Sequence, residues 1–191
     1  MLLRTIPVLA LCAMPALAEQ QSFKLDPQHT NVMWGVSHFG YSKMIGRFNA
    51  IEGSFTLDEQ NVGNSKVDVS IKTESVDTKV PQLDTHLKSP DFFNAAAHPT
   101  ITFKSTSASK TGEKTGKLTG DLTINGVTKP VTLDVTFNKL APHPVPAMKG
   151  VPNAGFSATG KLNRHDFNVS YGKGAIGDEV TLWIEVEGQK M

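Results

Sequence analysis

The segment Leu122-Thr123-Ile124-Asn125-Gly126-Val127-Thr128-Lys129-Pro130-Val131-Thr132-Leu133-Asp134-Val135-Thr136-Phe137 is largely an alternation of apolar and polar residues around one Asn-Gly pair. Successive side chains of a strand point to opposite faces, so such a run buries one face and wets the other. Asn125-Gly126 predicts a tight two-residue hairpin, because both residues accept the positive φ that this turn demands. The segment therefore reads as two antiparallel strands folded against each other.

The same period recurs on both sides of it. Val180, Leu182, Ile184 and Val186 alternate with Thr181, Trp183, Glu185 and Glu187. Shorter runs are Val32-Trp34-Val36-His38, Phe55-Leu57, Val67-Val69-Ile71, Ile101-Phe103, Leu118-Leu122-Ile124 and Phe156-Ala158-Leu162. Turn-forming clusters at Asn61-Val62-Gly63-Asn64 and Lys110-Thr111-Gly112-Glu113 separate them. Seven or eight strands at this spacing imply an all-β sandwich or barrel. Runs of about ten residues reach roughly 33 Å at about 3.3 Å per residue, which favours a tall barrel. Helical spacing is confined to Val80, Leu83 and Leu87. Ser89-Pro90-Asp91 then resembles a cap and first turn, predicting a second short helix over Phe92-Phe93-Asn94-Ala95-Ala96-Ala97. One or two such helices would cover one mouth of a barrel. The proline-rich stretch from Ala141 to Asn153 reads as a surface loop.

The chain has 191 residues, 19% charged and 39% hydrophobic, a composition of folded globular domains rather than of disorder or a polytopic membrane protein. The formal charge of +1 comes without a basic block, and aromatic residues are not interleaved with basic ones, so nucleic acid is not an expected partner. Arg4, the apolar run Ile6 to Met14 and Ala16-Leu17-Ala18 form an export signal, expected to be cleaved after Ala18. Residues 1–18 are then the signal peptide and 19–191 one domain. Cleavage removes Cys12, the one cysteine, and with it any thiol chemistry.

Motifs for catalysis or metal binding are missing. The six histidines form no H-x-x-x-H or H-E-x-x-H pair, and no G-x-S-x-G, G-x-G-x-x-G or Walker-type loop occurs. Gly172-Lys173-Gly174-Ala175-Ile176-Gly177 precedes a strand, not a helix, so it reads as a hairpin loop rather than a phosphate cradle. Asp84 and His86 would sit two apart on a helix and face different directions. Arg164 beside Asp166 suggests a local ion pair. No catalytic residue, metal ligand or cofactor is expected.

Several segments, in order along the chain, carry a likeness. They are Leu25-Asp26-Pro27-Gln28-His29-Thr30, Val36-Ser37-His38-Phe39-Gly40, Gly46-Arg47-Phe48, Asp84-Thr85-His86-Leu87-Lys88-Ser89-Pro90-Asp91-Phe92-Phe93, His98-Pro99-Thr100-Ile101-Thr102-Phe103, Gly120 to Val131, and Asn163-Arg164-His165-Asp166-Phe167. With these the chain resembles the YceI-like family of periplasmic, lipocalin-like polyisoprenoid-binding proteins. The resemblance implies an eight-stranded antiparallel lipocalin-like barrel, a periplasmic location and a polyisoprenoid or isoprenoid-quinone-like lipid in the interior. It implies no established catalytic residues. Leu83 departs from the family pattern where an arginine often stands, and Asn168 where a glycine often stands.

On this reading the inward residues Val32, Trp34, Val36, Phe55, Val69 and Ile71 line a lipid tunnel. Phe103, Val135, Phe137, Phe156, Leu182 and Ile184 complete its wall. Phe92 and Phe93 close it, and His38, Arg47 and Arg164 are candidate contacts for a polar head group. A membrane touched transiently during lipid exchange and a second copy of the chain complete the expected partners. Two other functions fit the same pattern. One is a structural or interaction barrel filled by its own side chains. The other is an enzyme acting on a lipid head group through His38, Asp84 or His86, which would have to meet in the barrel mouth.

Overall fold

The structure, a computed structural model, describes residues 20–148 and 150–191. The export-signal reading of residues 1–18 lies outside them. Among the described residues eleven strands form one sheet: β1 (Gln21–Leu25), β2 (Asn31–His38), β3 (Ser42–Phe48), β4 (Ile51–Leu57), β5 (Lys66–Lys72), β6 (Val76–Asp77), β7 (Thr100–Lys110), β8 (Thr115–Ile124), β9 (Val127–Pro142), β10 (Pro152–Asn163) and β11 (Ile176–Lys190). One α-helix, α1 (Pro81–Lys88), lies between β6 and β7.

The order around the ring is β1-β4-β5-β7-β8-β9-β10-β11, and β11 pairs back onto β1. All ladders are antiparallel. β2 continues β1 after a break at Asp26–Thr30, β3 runs into β4 through Asn49–Ala50, and a single 3-10 turn at Thr73–Ser75 separates β5 from β6. The result is a closed up-and-down barrel of eight ribbons, three of them broken. Asn125 and Gly126 adopt φ of 49° and 74°, as the hairpin reading requires.

The alternation seen in the sequence becomes the inside and outside of the wall. Val32 faces Ile184, Ile184 faces Ala158 and Ala158 faces Val135, so one belt of inward side chains crosses four strands. Val69, Phe103 and Leu122 form a second belt. Trp34 lies flat against its cross-strand partner Gly46, where a Cβ would come within 2.2 Å of the indole. On the outer wall, Trp183 covers Gly35 in the same manner. Phe23 and Phe55 stack with ring centroids 4.9 Å apart, and Phe156 packs edge-on to Phe55 and tilted against Phe137.

Of the one or two short helices expected near one mouth, one forms. The segment after α1 consists of turns because its amides fold back on the helix end. Phe93 N–H donates to Leu87 C=O, Ala95 N–H donates to Lys88 C=O, and Asn94 takes the left-handed φ of 46°. Asn168, standing where a glycine was expected, also adopts left-handed backbone (φ 58°), which asparagine tolerates, so the turn forms.

The ring closes at the break between β1 and β2. Asp26 N–H (2.9 Å) and Thr30 Oγ1 (3.3 Å) both donate to the Glu187 carbonyl of β11. The Asp26 carboxylate accepts from Gln28 N–H and from His29 Nδ1 at 2.7 Å. Burial alone would raise the Asp26 pKa, but the hydrogen bonds from His29 and Gln28 together hold it below its ordinary value. The hydrogen bond to Asp26 raises the His29 imidazole.

Two outcomes follow from this wall. Gly46→Val should destabilise the barrel by about 1–3 kcal/mol through overpacking against Trp34, read by urea denaturation. A lowered carboxylate stabilises above its unfolded pKa and loses that contribution as pH falls through its folded value. A raised imidazole stabilises below its unfolded pKa and loses that contribution as pH rises through its folded value. Both contributions are whole between the ordinary values of 3.8 and 6.5. The stability difference between the wild type and His29→Gln should be largest in that window and shrink on either side.

Candidate functional site

The inward faces do not fill the barrel. They enclose a cavity of about 460 Å³. Val32, Trp34 and Val36 of β2, Phe55 of β4, Val69 and Ile71 of β5 and Phe103 of β7 lie on its wall. Val135 and Phe137 of β9, Phe156 of β10, and Leu182 and Ile184 of β11 complete it. A two-residue period on every ribbon brings these side chains together. The reading as a barrel packed solid with its own side chains does not describe this interior.

The two ends of the cavity differ. At one end Leu87, Phe92, Phe167 and Val169 are buried and close it, with Phe93 against Phe48 at 5.7 Å. Phe92 and Phe93 both lie on the cavity wall at this end. At the other end the lining passes to the exposed residues Glu59, Lys110, Glu113, Lys114 and Thr115, where the cavity meets solvent. Neither Phe167 nor these mouth residues were candidates for the site in the sequence, although Lys110 and Glu113 belong to a turn cluster. Phe167 sits in the Arg164-His165-Asp166-Phe167 segment, whose turn of 3-10 helix carries no period-2 signal.

The polar candidates separate. Arg164 is buried (5% exposed) and lines the closed end. Its Nε donates to Gly177 C=O (2.9 Å), one terminal nitrogen to Val169 and Tyr171 C=O (2.8 Å each), and the other to Ile176 C=O (3.1 Å). The guanidinium is therefore engaged in folding the 168–177 loop. Its nearby acid is Asp178 at 3.9 Å rather than the expected Asp166. Burial pushes its pKa below the ordinary value, and Asp178 offsets part of this.

Arg47 does not reach the cavity. On β3 it takes the outer phase opposite Met33 and pairs with Asp77 at 3.4 Å. Asp77 also accepts from Asn49 and Lys79, and the Asn49 hydrogen bond foremost holds it far below the usual carboxylate range. His38 is also outside the cavity. It keeps the inward phase of β2 but occupies the last rung, where the ring is exposed and packs edge-on to Phe39 at 4.5 Å.

The candidate acid/base groups are spent locally. Asp84 accepts from Thr78 N–H (2.8 Å) and Oγ1 (2.6 Å), which ties α1 to β6. His86 Nε2 lies 2.8 Å from Asp91, and its ring packs on Phe92 and Tyr171. Among the described residues, Asp26, His29 and Glu187 form a group of potential metal ligands, with donor atoms within 4.8 Å of one another. They lie at the ring-closure seam, and Asp26 and His29 already bind each other there. The Trp34 indole N–H is buried with no acceptor among the described residues, a cost of about 1–3 kcal/mol.

Arg164→Lys should destabilise the protein by more than about 2 kcal/mol, since one ammonium cannot fork to four carbonyls. Amide exchange should localise the loosening to residues 168–177.

A family model described as a YceI-like domain matches residues 23–188. Protein YceI of Escherichia coli O157:H7 is 42% identical over 184 residues, covering 96% of this chain and 94% of that one. The crystal structure of the Campylobacter jejuni YceI protein superposes with a TM-score of 0.70 at 32% identity, covering 81% of this chain and 90% of that one. A polyisoprenoid binding domain from Saccharophagus degradans, implicated in plant cell wall breakdown, shares the fold with a TM-score of 0.69. It is 12% identical and covers 90% of this chain and 99% of that one. A closed eight-ribbon barrel, matched from its first strand to its last, places this chain in the YceI-like family.

Proposed function

We propose that the protein is a non-enzymatic binding protein that sequesters or carries a polyisoprenoid or quinone-type lipid inside its barrel, in the periplasm. The observation that carries this reading is the unfilled sleeve, whose wall is apolar from Val32 round to Ile184. The polyisoprenoid-binding neighbour from Saccharophagus degradans supports the ligand class, and the export signal of residues 1–18 supports the compartment.

The size of the sleeve bounds the chain. An apolar cavity of about 150 Å³ holds one benzene, so a cavity of about 460 Å³ takes roughly three such six-carbon units, about 18 carbons. That is close to four isoprene units. Burial is worth about 0.8 kcal/mol per CH₂, giving about 12–16 kcal/mol gross against an association cost of about 4–15 kcal/mol. A chain that water rejects gains most from such a site.

Native mass spectrometry with a series of isoprenols tests this. Occupancy should rise with each isoprene unit up to about four and then level off, following the cavity volume. Ala158→Phe adds a ring to the inner belt and should weaken binding of the four-unit chain by at least about tenfold while the barrel stays folded. No uptake of any isoprenol by a folded wild type would sink the proposal. Turnover of lipid esters or pyrophosphates, lost on substitution of wall-lining residues, would favour the enzyme reading.

A further inference from the structure

The barrel wall is not continuous at its closed end. β3 pairs with β6 only at Arg47 and Phe48, and among the described residues Ser42–Gly46 pairs with β2 alone. On the other side of this opening β7 begins at Thr100. Residues 78–99 cross between them, and α1 with its following turns covers the cavity through Leu87, Phe92 and Phe93. These side chains span the opening without a backbone ladder, so displacing this cover would break no rung of the sheet.

Beside the cover stand two loops of unusual surface chemistry. In the β2–β3 turn, Phe39 is 58% and Tyr41 93% exposed, and Ile45 on β3 is 55% exposed. In the 168–177 loop, Tyr171 is 48% exposed and packs on His86 and Phe92 of the cover. Phe39 N–H donates to Ala175 C=O at 2.9 Å and joins the two loops. Ser37–Ile45 and Asn168–Gly177 contain no carboxylate, and each carries one lysine, Lys43 or Lys173. Phe39 also holds a left-handed φ of 51°. A bulky side chain there strains the backbone, and this one is more exposed than buried, with its ring against His38, as residues kept for function can be.

We propose that this end docks on an anionic phospholipid bilayer. This rests on the lipid-sleeve reading and names the surface from which the sleeve fills. Exposed aromatic rings with a polar edge sit at the headgroup level, and lysines add attraction to anionic lipid. A lipid would be drawn in tail-first under the α1 cover from the bilayer face, while Lys43 and Lys173, which do not line the cavity, hold bilayer phosphates rather than the cargo. The water it displaces leaves by the opposite, open mouth at Lys110 and Lys114.

Vesicle co-sedimentation tests the surface. The full chain should bind phosphatidylethanolamine vesicles containing about one-third phosphatidylglycerol, and bind neutral phosphatidylcholine vesicles weakly. Phe39→Gly with Tyr41→Ser should lower binding by about tenfold, as should Lys43→Glu with Lys173→Glu. Phe39→Gly suits the left-handed backbone, so that variant should unfold at the same or higher urea concentration than the wild type. Isoprenol loading without vesicles should stay at the wild-type level in both double variants. Vesicle binding that survives both double variants overturns the inference, as does binding lost only with Lys110→Glu and Lys114→Glu at the open mouth. A wild type that loads isoprenol but ignores anionic vesicles overturns it as well, with the sleeve reading intact. A wild type that binds vesicles through these loops but takes up no isoprenol supports the surface and fails the sleeve reading.

Discussion

Closure of the main-chain ladder is the constraint on which everything else depends. A barrel filled by its own side chains can lean on its core, but this one keeps a cavity of about 460 Å³ and must be held by its wall. The wall closes where the first ribbon is broken, and the Glu187 carbonyl receives hydrogen bonds from both sides of the break. The Asp26–His29 pair fixes the intervening turn so that β1 and β2 both meet β11. Without that seam the apolar inner faces would have no enclosed volume to share.

Inside the wall, shape is set by close contacts between large and small residues. Gly46 leaves room for Trp34, and Gly188 leaves room for Phe55, whose ring would lie 2.4 Å from a Cβ at that position. Aromatic rings around Phe23, Phe55, Phe137 and Phe156 fill one part of the interior and leave the remainder open. The cavity is thus a product of where the large side chains were placed, and not of a shortage of them.

Much of this was legible in the sequence, because a period of two is a local property. Val135 and Leu182 alternate with polar neighbours whatever the rest of the chain does, and Asn125-Gly126 states its own turn. The same locality explains the misses. His38 continues an inward run, but whether a strand's last rung is covered depends on other segments. Arg47 looks like any free arginine until Asp77, thirty residues later, arrives on the adjoining strand. The second helix failed because amides after Ser89 found carbonyls at the end of α1, a choice that propensity does not encode. Tyr41-Ser42-Lys43 and Tyr171-Gly172-Lys173 lie far apart in the chain, and the loops that carry them meet through the Ile176–His38 rung and the Phe39–Ala175 hydrogen bond.

The segment that covers the opening between β3 and β7 is fastened at few points. Asp84 holds it to Thr78 at its start, and Thr73 secures its end by donating from Oγ1 to the His98 carbonyl and from N–H to the Pro99 carbonyl. Between these points Leu87, Phe92 and Phe93 reach the interior, and no residue adds a rung to the ladder. Such an insert can change in length, bulk or polarity while the closed ring around it is left alone. The architecture thereby separates the problem of staying folded from the shape of the cavity's closed end, so that a stretch of about twenty residues can be rewritten there while the wall keeps its ladder.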